Sequence, residues 1–317
     1  MASAYTSAQL DEYESHVSLP TPFLRASKPP LDIAYLTALH IHQISTAPYE
    51  NLLLHYSSSH TVSLDPQDLF KKIVTDKRGR GGYCMENSIL FNHILRGLGF
   101  QVYTAGVRIR ARRLLNRKFI LIRVHIVNIV TLPTGSQYAL DVGFGGDGAT
   151  QPMPMVSGQV VKNLGMQEVR LLHSTIPQHQ QTDQSKRLWL YQYRNTTAQE
   201  WNSFYAFPET EFTPADFEVM NFYTSQNHAA ANLQTRTVLV IRFLRGAREG
   251  AGEGEFIVGK VMMVNGEVKR NDGGKTRVIK VCETEDERIE ALREYFGITL
   301  TEEERLGVRG RNVELGI

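Results

Sequence analysis

The sequence RGGYC at residues 80–84 has the composition of a loop that presents a reactive cysteine. Its two glycines allow the backbone to turn tightly, and the residue pattern predicts a helix that begins at or just after Cys84. The positive end of a helix dipole favours the thiolate, which is the nucleophilic form of cysteine. A buried structural cysteine is the alternative, because free cysteines are among the most buried residues. The glycine turn, the helix start and the basic surroundings favour a nucleophile.

A thiolate nucleophile usually works with an imidazole, and the imidazole needs an acceptor that orients it. His125 lies within the apolar sequence LIRVHIVNIV, and Asp141 lies within YALDVGFGG. Side chains of these types need polar partners when they are buried. The two positions suit neighbouring antiparallel strands joined by the turn TLPTGSQ. Cys84, His125 and Asp141 therefore form a plausible catalytic set, although a satisfied core histidine and a turn-forming aspartate would explain the same residues separately.

The elements that would position these residues follow one another in three parts. Helical patterns dominate residues 1–99, β-branched strand patterns dominate 100–210, and strands mixed with helices fill 211–317. We take these three ranges as the predicted domains: a helical bundle, an antiparallel β-barrel and an α/β lid. This order predicts a segregated α+β fold and not a doubly wound α/β sheet. The predicted strand segments are 101–111, 119–131, 138–144, 168–173, 187–194, 237–243, 256–264 and 276–281.

Composition excludes several classes of protein. The 317 residues are 42% hydrophobic with a net charge of +2, which is unlike a nucleic-acid-binding protein. No apolar run is long enough for a membrane span, and the first residues do not form a signal peptide. Two cysteines cannot build a disulfide framework, and no metal-binding spacing occurs. We therefore expect a cytoplasmic protein with no metal, nucleic acid or membrane as partner.

The small net charge hides an uneven distribution. Residues 71–123 contain 13 Lys and Arg but two acids, whereas residues 282–305 contain nine acids and three bases. Two solvated faces would explain this pattern. A basic stretch that faces an anionic ligand, such as one with phosphates, would explain it equally well.

Four motifs in order resemble the arylamine N-acetyltransferase family: PYENL at 48–52, RGGYCMEN at 80–87, the VHIVNIV strand and LDVGFGG. The resemblance covers nearly the whole chain, since DFEVMNFYTS and the C-terminal tail also fit. It implies a papain- or transglutaminase-like catalytic core. Two features depart from the family: Ser88 stands where Asn is frequent, and FILIRV precedes the histidine where small or polar residues are frequent. The second departure affects the contacts with coenzyme A that the family resemblance implies near Leu121 and Ile122.

The resemblance implies a role for each matched residue. Cys84 would accept the acyl group, His125 would act as base, and Asp141 would orient the imidazole. Tyr49 and Phe144 would line the pocket for the acceptor amine. Tyr223 matches a position near the coenzyme A cleft.

The implied reaction moves an acetyl or related acyl group from acyl-CoA, through a cysteine thioester, to the nitrogen of an arylamine or arylhydrazine. The partners would be a coenzyme A thioester and a small aromatic amine or hydrazine. An arylamine N-malonyltransferase, a thiol hydrolase with the same three residues and a degenerate, ligand-binding relative are the alternatives. Cys282, His40 and His42 are predicted to be ordinary structural residues.

Overall fold

The computed structural model describes residues 2–110, 121–229, 232–247 and 254–316, with the backbone alone at 121–123. Part of two predicted strands, at 111 and 119–120, lies outside these ranges. The α-helices are α1 (Ser7–His16), α2 (Ile33–Thr46), α3 (Leu53–Tyr56), α4 (Pro66–Phe70), α5 (Cys84–Gly97), α6 (Pro214–Gln226), α7 (Leu233–Arg236), α8 (Glu285–Phe296) and α9 (Glu302–Gly307). None of the helices in these ranges is long and apolar enough to cross a membrane.

Thirteen strands are found in the described ranges, and every strand pair is antiparallel. They are β1 (Tyr49–Glu50), β2 (Gln101–Arg110), β3 (Leu121–Thr131), β4 (Gln137–Leu140), β5 (Met153–Pro154), β6 (Val160–Lys162), β7 (Glu168–Ser174), β8 (Leu188–Arg194), β9 (Asn202–Phe207), β10 (Leu239–Gly246), β11 (Phe256–Val264), β12 (Glu267–Asn271) and β13 (Arg277–Val281).

The N-terminal helices pack their apolar faces around one core, and local capping sets where they begin. Thr6 accepts a hydrogen bond from the Gln9 N–H at the start of α1, and Asp32 accepts one from the Tyr35 N–H at the start of α2. The apolar face of α5 contributes Phe91 to this core. Helix α5 is thereby packed against the N-terminal helices.

The eight central strands form one sheet in the order β5-β4-β3-β2-β9-β8-β7-β6. The edge strand β5 contacts β7, which lies next to the other edge strand β6, so the sheet nearly closes into a barrel. Alternate residues of β3, including Val127 and Ile129, point into the barrel core, whereas Ile126 and Val130 join the cores outside it. Strand β3 therefore lies between the barrel core and helix α5.

The C-terminal strands form a second sheet in the order β1-β10-β11-β12-β13. Its edge strand β1 comes from the first part of the chain, where Tyr49 and Glu50 pair with Ile241 and Val240 of β10. Helix α8 covers this sheet and ends at Gly297, whose φ of 71° is left-handed. The three-part domain division stays a prediction.

The structure confirms the segregated α+β class and corrects its details. Strand β4 ends at Leu140, four residues before the predicted end at 144, so Asp141 follows the strand and does not lie on it. Strand β9 closes the barrel between β2 and β8 and has no counterpart among the predicted strands. Short strands such as β1 and β12 also escaped prediction, because their few residues carry too little periodicity.

Candidate active site

The two glycines of the RGGYC loop at 80–84 permit backbone pairing with the PYEN segment. A Cβ on Gly81 would lie 1.8 Å from the Pro48 carbonyl oxygen, so no larger residue fits. The Gly82 N–H donates to the Pro48 carbonyl oxygen at 3.2 Å, and the Gly82 carbonyl accepts from the Glu50 N–H at 3.0 Å. The two motifs that were separate in the sequence are thus one structural unit.

A buried network of ion pairs holds this unit in place. The Arg80 guanidinium, 1% exposed, lies 3.0 Å from a carboxylate oxygen of Glu50, which is fully buried. Burial alone would raise the pKa of Glu50, but the charges of Arg80 and Lys72 outweigh it and lower the pKa to about 2. Arg80 also donates to Glu304 at 2.6 Å, so helix α9 contacts the RGGYC loop.

Cys84 begins helix α5 and is 4% exposed. The carboxylate of Glu86 accepts a hydrogen bond from the Tyr83 N–H at 2.9 Å, which fixes the first turn of the helix. The Cys84 thiol donates to the Val124 carbonyl oxygen at 3.5 Å, which brings it beside the next residue, His125. The start of α5 thus presents a thiol to the middle of β3.

His125 and Asp141 form a buried pair. The Nε2 atom of His125 lies 2.7 Å from Oδ2 of Asp141, and both side chains are nearly inaccessible to solvent. Burial lowers the pKa of the imidazole, but the charge and hydrogen bond of Asp141, together with Cys84, outweigh it and raise the pKa to about 10. Since Asp141 occupies Nε2, the nitrogen left for the thiol is Nδ1.

Tyr205 is a third partner of Asp141 that the sequence did not reveal. Its hydroxyl donates to the carboxylate, and burial followed by the charge of Asp141 raises the pKa of the phenol well above its usual value. The backbone N–H of Gly143 donates to the other carboxylate oxygen at 3.2 Å. The carboxylate is therefore held in one orientation. Tyr205 lies on β9, where the continuous apolar sequence FYAF was an available signal for a buried strand.

The charge on His125 gives the fold a pH dependence. The pKa is about 10 in the folded protein against 6.5 for the free side chain, so the stabilisation is complete below pH 6.5 and is lost as pH rises through about 10. We expect the free energy of unfolding, measured by urea titration, to fall between pH 6.5 and 10. The His125→Gln variant should show a shallower fall over this range. Equal slopes for the two proteins would contradict the assignment.

Gly143 allows the aspartate loop to touch the start of helix α5. A Cβ at this position would lie 2.7 Å from the Cα and the carbonyl oxygen of Cys84, both of which are backbone atoms. We expect Gly143→Ala to lower the free energy of unfolding by about 1–3 kcal/mol and to slow alkylation of Cys84 by iodoacetamide.

Gly274→Ala is the matched control, because nothing lies within 4 Å of the position its Cβ would take. Wild-type stability and alkylation in Gly143→Ala would contradict the close approach.

A narrow, mostly apolar cleft opens beside the pair. Tyr49 and Phe144 line it, and Asp141 forms part of its wall. The Phe144 ring lies 5.1 Å from the imidazole ring, centre to centre. The opposite wall includes Ile241 and Phe243 of β10, which sequence reasoning missed because they come from another part of the chain. The cleft is small, with a volume of about 10 Å³, and its lining combines aromatic and aliphatic side chains with one carboxylate.

A family model described as N-acetyltransferase matches residues 32–305. The chain belongs to the arylamine N-acetyltransferase family. The N-malonyltransferase FDB2 of Fusarium pseudograminearum is 32% identical over 96% of this chain and 92% of that protein. The arylamine N-acetyltransferase of Escherichia coli is 32% identical over 62% of each chain. Membership of this family makes the chain an acyltransferase.

Solved arylamine N-acetyltransferases share its fold. The Mycobacterium abscessus enzyme superposes with a TM-score of 0.76 at 20% identity, over 96% of this chain and 95% of that one. The Mycobacterium marinum enzyme in complex with CoA gives 0.75 at 22% identity, over 96% of this chain and all of that one. At these identities the likeness establishes the fold alone.

Three further positions bear on the predicted contacts with coenzyme A: Tyr223, Leu121 and Ile122. Tyr223 is 46% exposed on α6, and its helix is linked to the RGGYC loop by a hydrogen bond from the Tyr83 hydroxyl to Asn221. The side chains of Leu121 and Ile122 fall outside the described ones. The role of Tyr223 in binding coenzyme A stays a prediction.

The three residues predicted to be structural are buried. His40 contacts the Ala149 carbonyl oxygen at 3.0 Å, His42 contacts the Val17 carbonyl oxygen, and the Cys282 thiol donates to the Glu287 carbonyl oxygen. Within the described ranges, no group of three His, Cys, Asp or Glu side chains could hold a metal ion.

Proposed function

We propose that this protein transfers an acetyl or related acyl group from an acyl-CoA thioester to the nitrogen of an arylamine or arylhydrazine, through a thioester on Cys84. The observation that carries this proposal is the buried arrangement of Cys84, His125 and Asp141 beside an aromatic cleft. Family membership supports the acyl-transfer class.

The first half-reaction loads the enzyme. The raised pKa of His125 places a protonated imidazole beside the Cys84 sulfur at neutral pH. The thiolate attacks the carbonyl carbon of the acyl-CoA, and a new carbon–sulfur bond forms while the bond to the coenzyme sulfur breaks. The imidazolium can give its proton to the departing coenzyme thiolate. The acyl group then remains on Cys84.

The second half-reaction transfers the acyl group from Cys84 to the amine. The amine nitrogen attacks the thioester carbonyl, and His125 takes the proton that the nitrogen loses. The amide forms as the bond to Cys84 breaks, which restores the thiolate–imidazolium pair. Asp141 stabilises the positive charge on the imidazole and keeps Nδ1 directed at the sulfur throughout.

The aromatic cleft would hold the acceptor. Tyr49 and Phe144 offer ring faces and edges to a flat amine, and such contacts favour stacked or edge-to-face packing. The Tyr49 hydroxyl accepts a hydrogen bond from the Gln234 side chain at 2.6 Å, so that ring is held in place. The amine would then lie next to the acylated cysteine.

The identity of the acyl donor has two candidates. Acetyl-CoA is the donor that the family name suggests, whereas the relatives with long matches are named N-malonyltransferases. A malonyl group carries a carboxylate that an acetyl group lacks, so the two donors differ in charge beside the reacting carbonyl. We propose acetyl-CoA or a related acyl-CoA such as malonyl-CoA as the cosubstrate, in a cytoplasmic enzyme.

Initial-rate kinetics test the proposed reaction. With acyl-CoA and an arylamine such as 4-anisidine varied together, a covalent intermediate predicts parallel double-reciprocal lines. Release of coenzyme A should depend on the amine concentration. Coenzyme A release at the same rate with and without the amine, and with no amide product, would instead identify a thiol hydrolase.

A further inference from the structure

Glu304 connects the last part of the chain to the RGGYC loop. It lies in the first turn of α9, where its carboxylate accepts a hydrogen bond from the Thr301 N–H at 2.7 Å. The same carboxylate accepts from the Arg80 guanidinium at 2.6 Å through one oxygen and from Arg78 through the other. Two arginines of the segment before Cys84 therefore meet at one carboxylate from the C-terminal region.

Close backbone packing surrounds this ion pair. A Cβ on Gly79 would lie 2.0 Å from the carbonyl oxygen at the C-cap of α8. The Thr299 N–H donates to the Arg78 carbonyl oxygen at 2.9 Å. At the other end of α9, a Cβ on Gly307 would lie 2.0 Å from the Tyr56 carbonyl oxygen, so this helix also lies directly against the end of α3. The carboxylate is thus presented to the loop by a helix that is packed at both ends.

Arg80 needs this carboxylate because its guanidinium is almost completely buried. Its Nε atom donates to Glu50 at 3.0 Å, and Nη1 donates to Glu304. The acids and bases of the network balance, since Glu50, Glu86 and Glu304 face Lys72, Arg78 and Arg80. Without Glu304, the network would have one excess positive charge, and Nη1 would lose its acceptor in the described part of the chain. A buried charged donor without its acceptor is costly, so the guanidinium would move.

A movement of Arg80 would reach the catalytic thiol through a short segment. The next two residues are the glycines whose backbone pairs with the PYEN segment, and Tyr83 is the N-cap of α5. The place where this segment starts the helix decides where the Cys84 sulfur lies relative to His125. Misplacement of a reacting atom by about 1 Å can slow a reaction by about 100-fold. A small shift of the loop is therefore enough to lower the rate of acyl transfer.

We infer that Glu304 is a positioning residue for the Cys84 thiol and that it acts through Arg80. This inference rests on the proposed acyl transfer through Cys84. Glu304 is not among the residues that line the cleft. Its removal should therefore slow the chemical step and leave substrate binding nearly unchanged.

The test compares the wild type with Glu304→Gln, which keeps the size of the side chain and one acceptor oxygen but removes the charge. Rapid-quench mass spectrometry gives the maximal rate of thioester formation on Cys84 and the half-saturating concentration of acetyl-CoA or malonyl-CoA. We expect the maximal rate to fall about tenfold and the half-saturating concentration to stay within about twofold. A purely structural role would lower the thermal midpoint and leave the rate of the folded protein unchanged.

Glu303→Gln is the matched control, because Glu303 precedes Glu304 on α9 and its carboxylate instead accepts from the Ser58 hydroxyl at 2.9 Å. It should keep the wild-type rate. Glu304→Asp is a second variant that keeps the charge on a shorter side chain. Its rate should lie between those of the wild type and Glu304→Gln.

A double-mutant cycle with Arg80→Lys tests the route of the effect. If Glu304 acts through Arg80, adding Glu304→Gln to Arg80→Lys should slow thioester formation by no more than about twofold further. An unchanged maximal rate in Glu304→Gln, or losses that multiply in the double variant, would overturn the inference. Absence of any thioester on Cys84 of the wild type would instead overturn the proposed function.

Discussion

Replacing Cys84 with alanine is expected to abolish acyl transfer while leaving the fold intact. The variant lacks the sulfur on which the thioester forms, and neither His125 nor Asp141 can substitute for it as an acyl carrier. The rate of arylamine acylation should fall by about 10,000-fold or more. The change is small in volume at the start of α5, so circular dichroism and the thermal midpoint should stay close to those of the wild type.

Cys282→Ala is the matched control for this variant. Cys282 is the other buried cysteine, and it belongs to the apolar cluster of the C-terminal sheet. It should retain wild-type turnover even if its stability decreases. Appreciable acylation by Cys84→Ala, or loss of activity in Cys282→Ala with the fold retained, would contradict the assignment of the nucleophile.

The second large effect is expected for Asp141→Asn, which should reduce both turnover and stability. The substitution removes the negative charge that holds the pKa of His125 near 10, so the imidazolium loses its counter-ion in a buried position. By analogy with triads in which the carboxylate is exchanged for an amide, turnover should fall by about 1,000-fold or more.

Stability provides an independent measure of the same pair. The Asp141 carboxylate accepts hydrogen bonds from His125, Gly143 and Tyr205, and the amide can accept fewer of them. We expect a loss of about 1–3 kcal/mol in the free energy of unfolding. Asp183→Asn, at an exposed turn, serves as control. A thermal scan of Asp141→Asn that matches the wild type would contradict the buried pair.

The sequence allowed prediction of those features that depend on local patterns. The glycines before Cys84 lie within a few residues of the helix start that they control. The long strands β2 and β3 contain enough β-branched residues for the sequence pattern to predict them. The sequence also indicated that His125 and Asp141 are neighbours, because one hairpin turn joins the two predicted strand segments that contain them.

Other parts of the site depend on contacts between distant segments and have no local signal. Arg80 meets Glu304, which lies 224 positions later in the chain. The far wall of the cleft comes from β10. Register and packing decide such contacts, and a single sequence does not reveal them. The position of Asp141 just beyond its strand has a similar cause, since strand ends are set by pairing with neighbours.

The central claim is that Cys84 carries the acyl group during transfer, and mass spectrometry tests it most directly. The wild-type protein is mixed briefly with acetyl-CoA or malonyl-CoA without an amine, quenched in acid and digested. The account predicts one acyl group on the peptide that contains Cys84, absent from Cys84→Ala and lost when an arylamine is added before the quench. An unmodified Cys84 peptide with every donor, while amide product still forms, would contradict it.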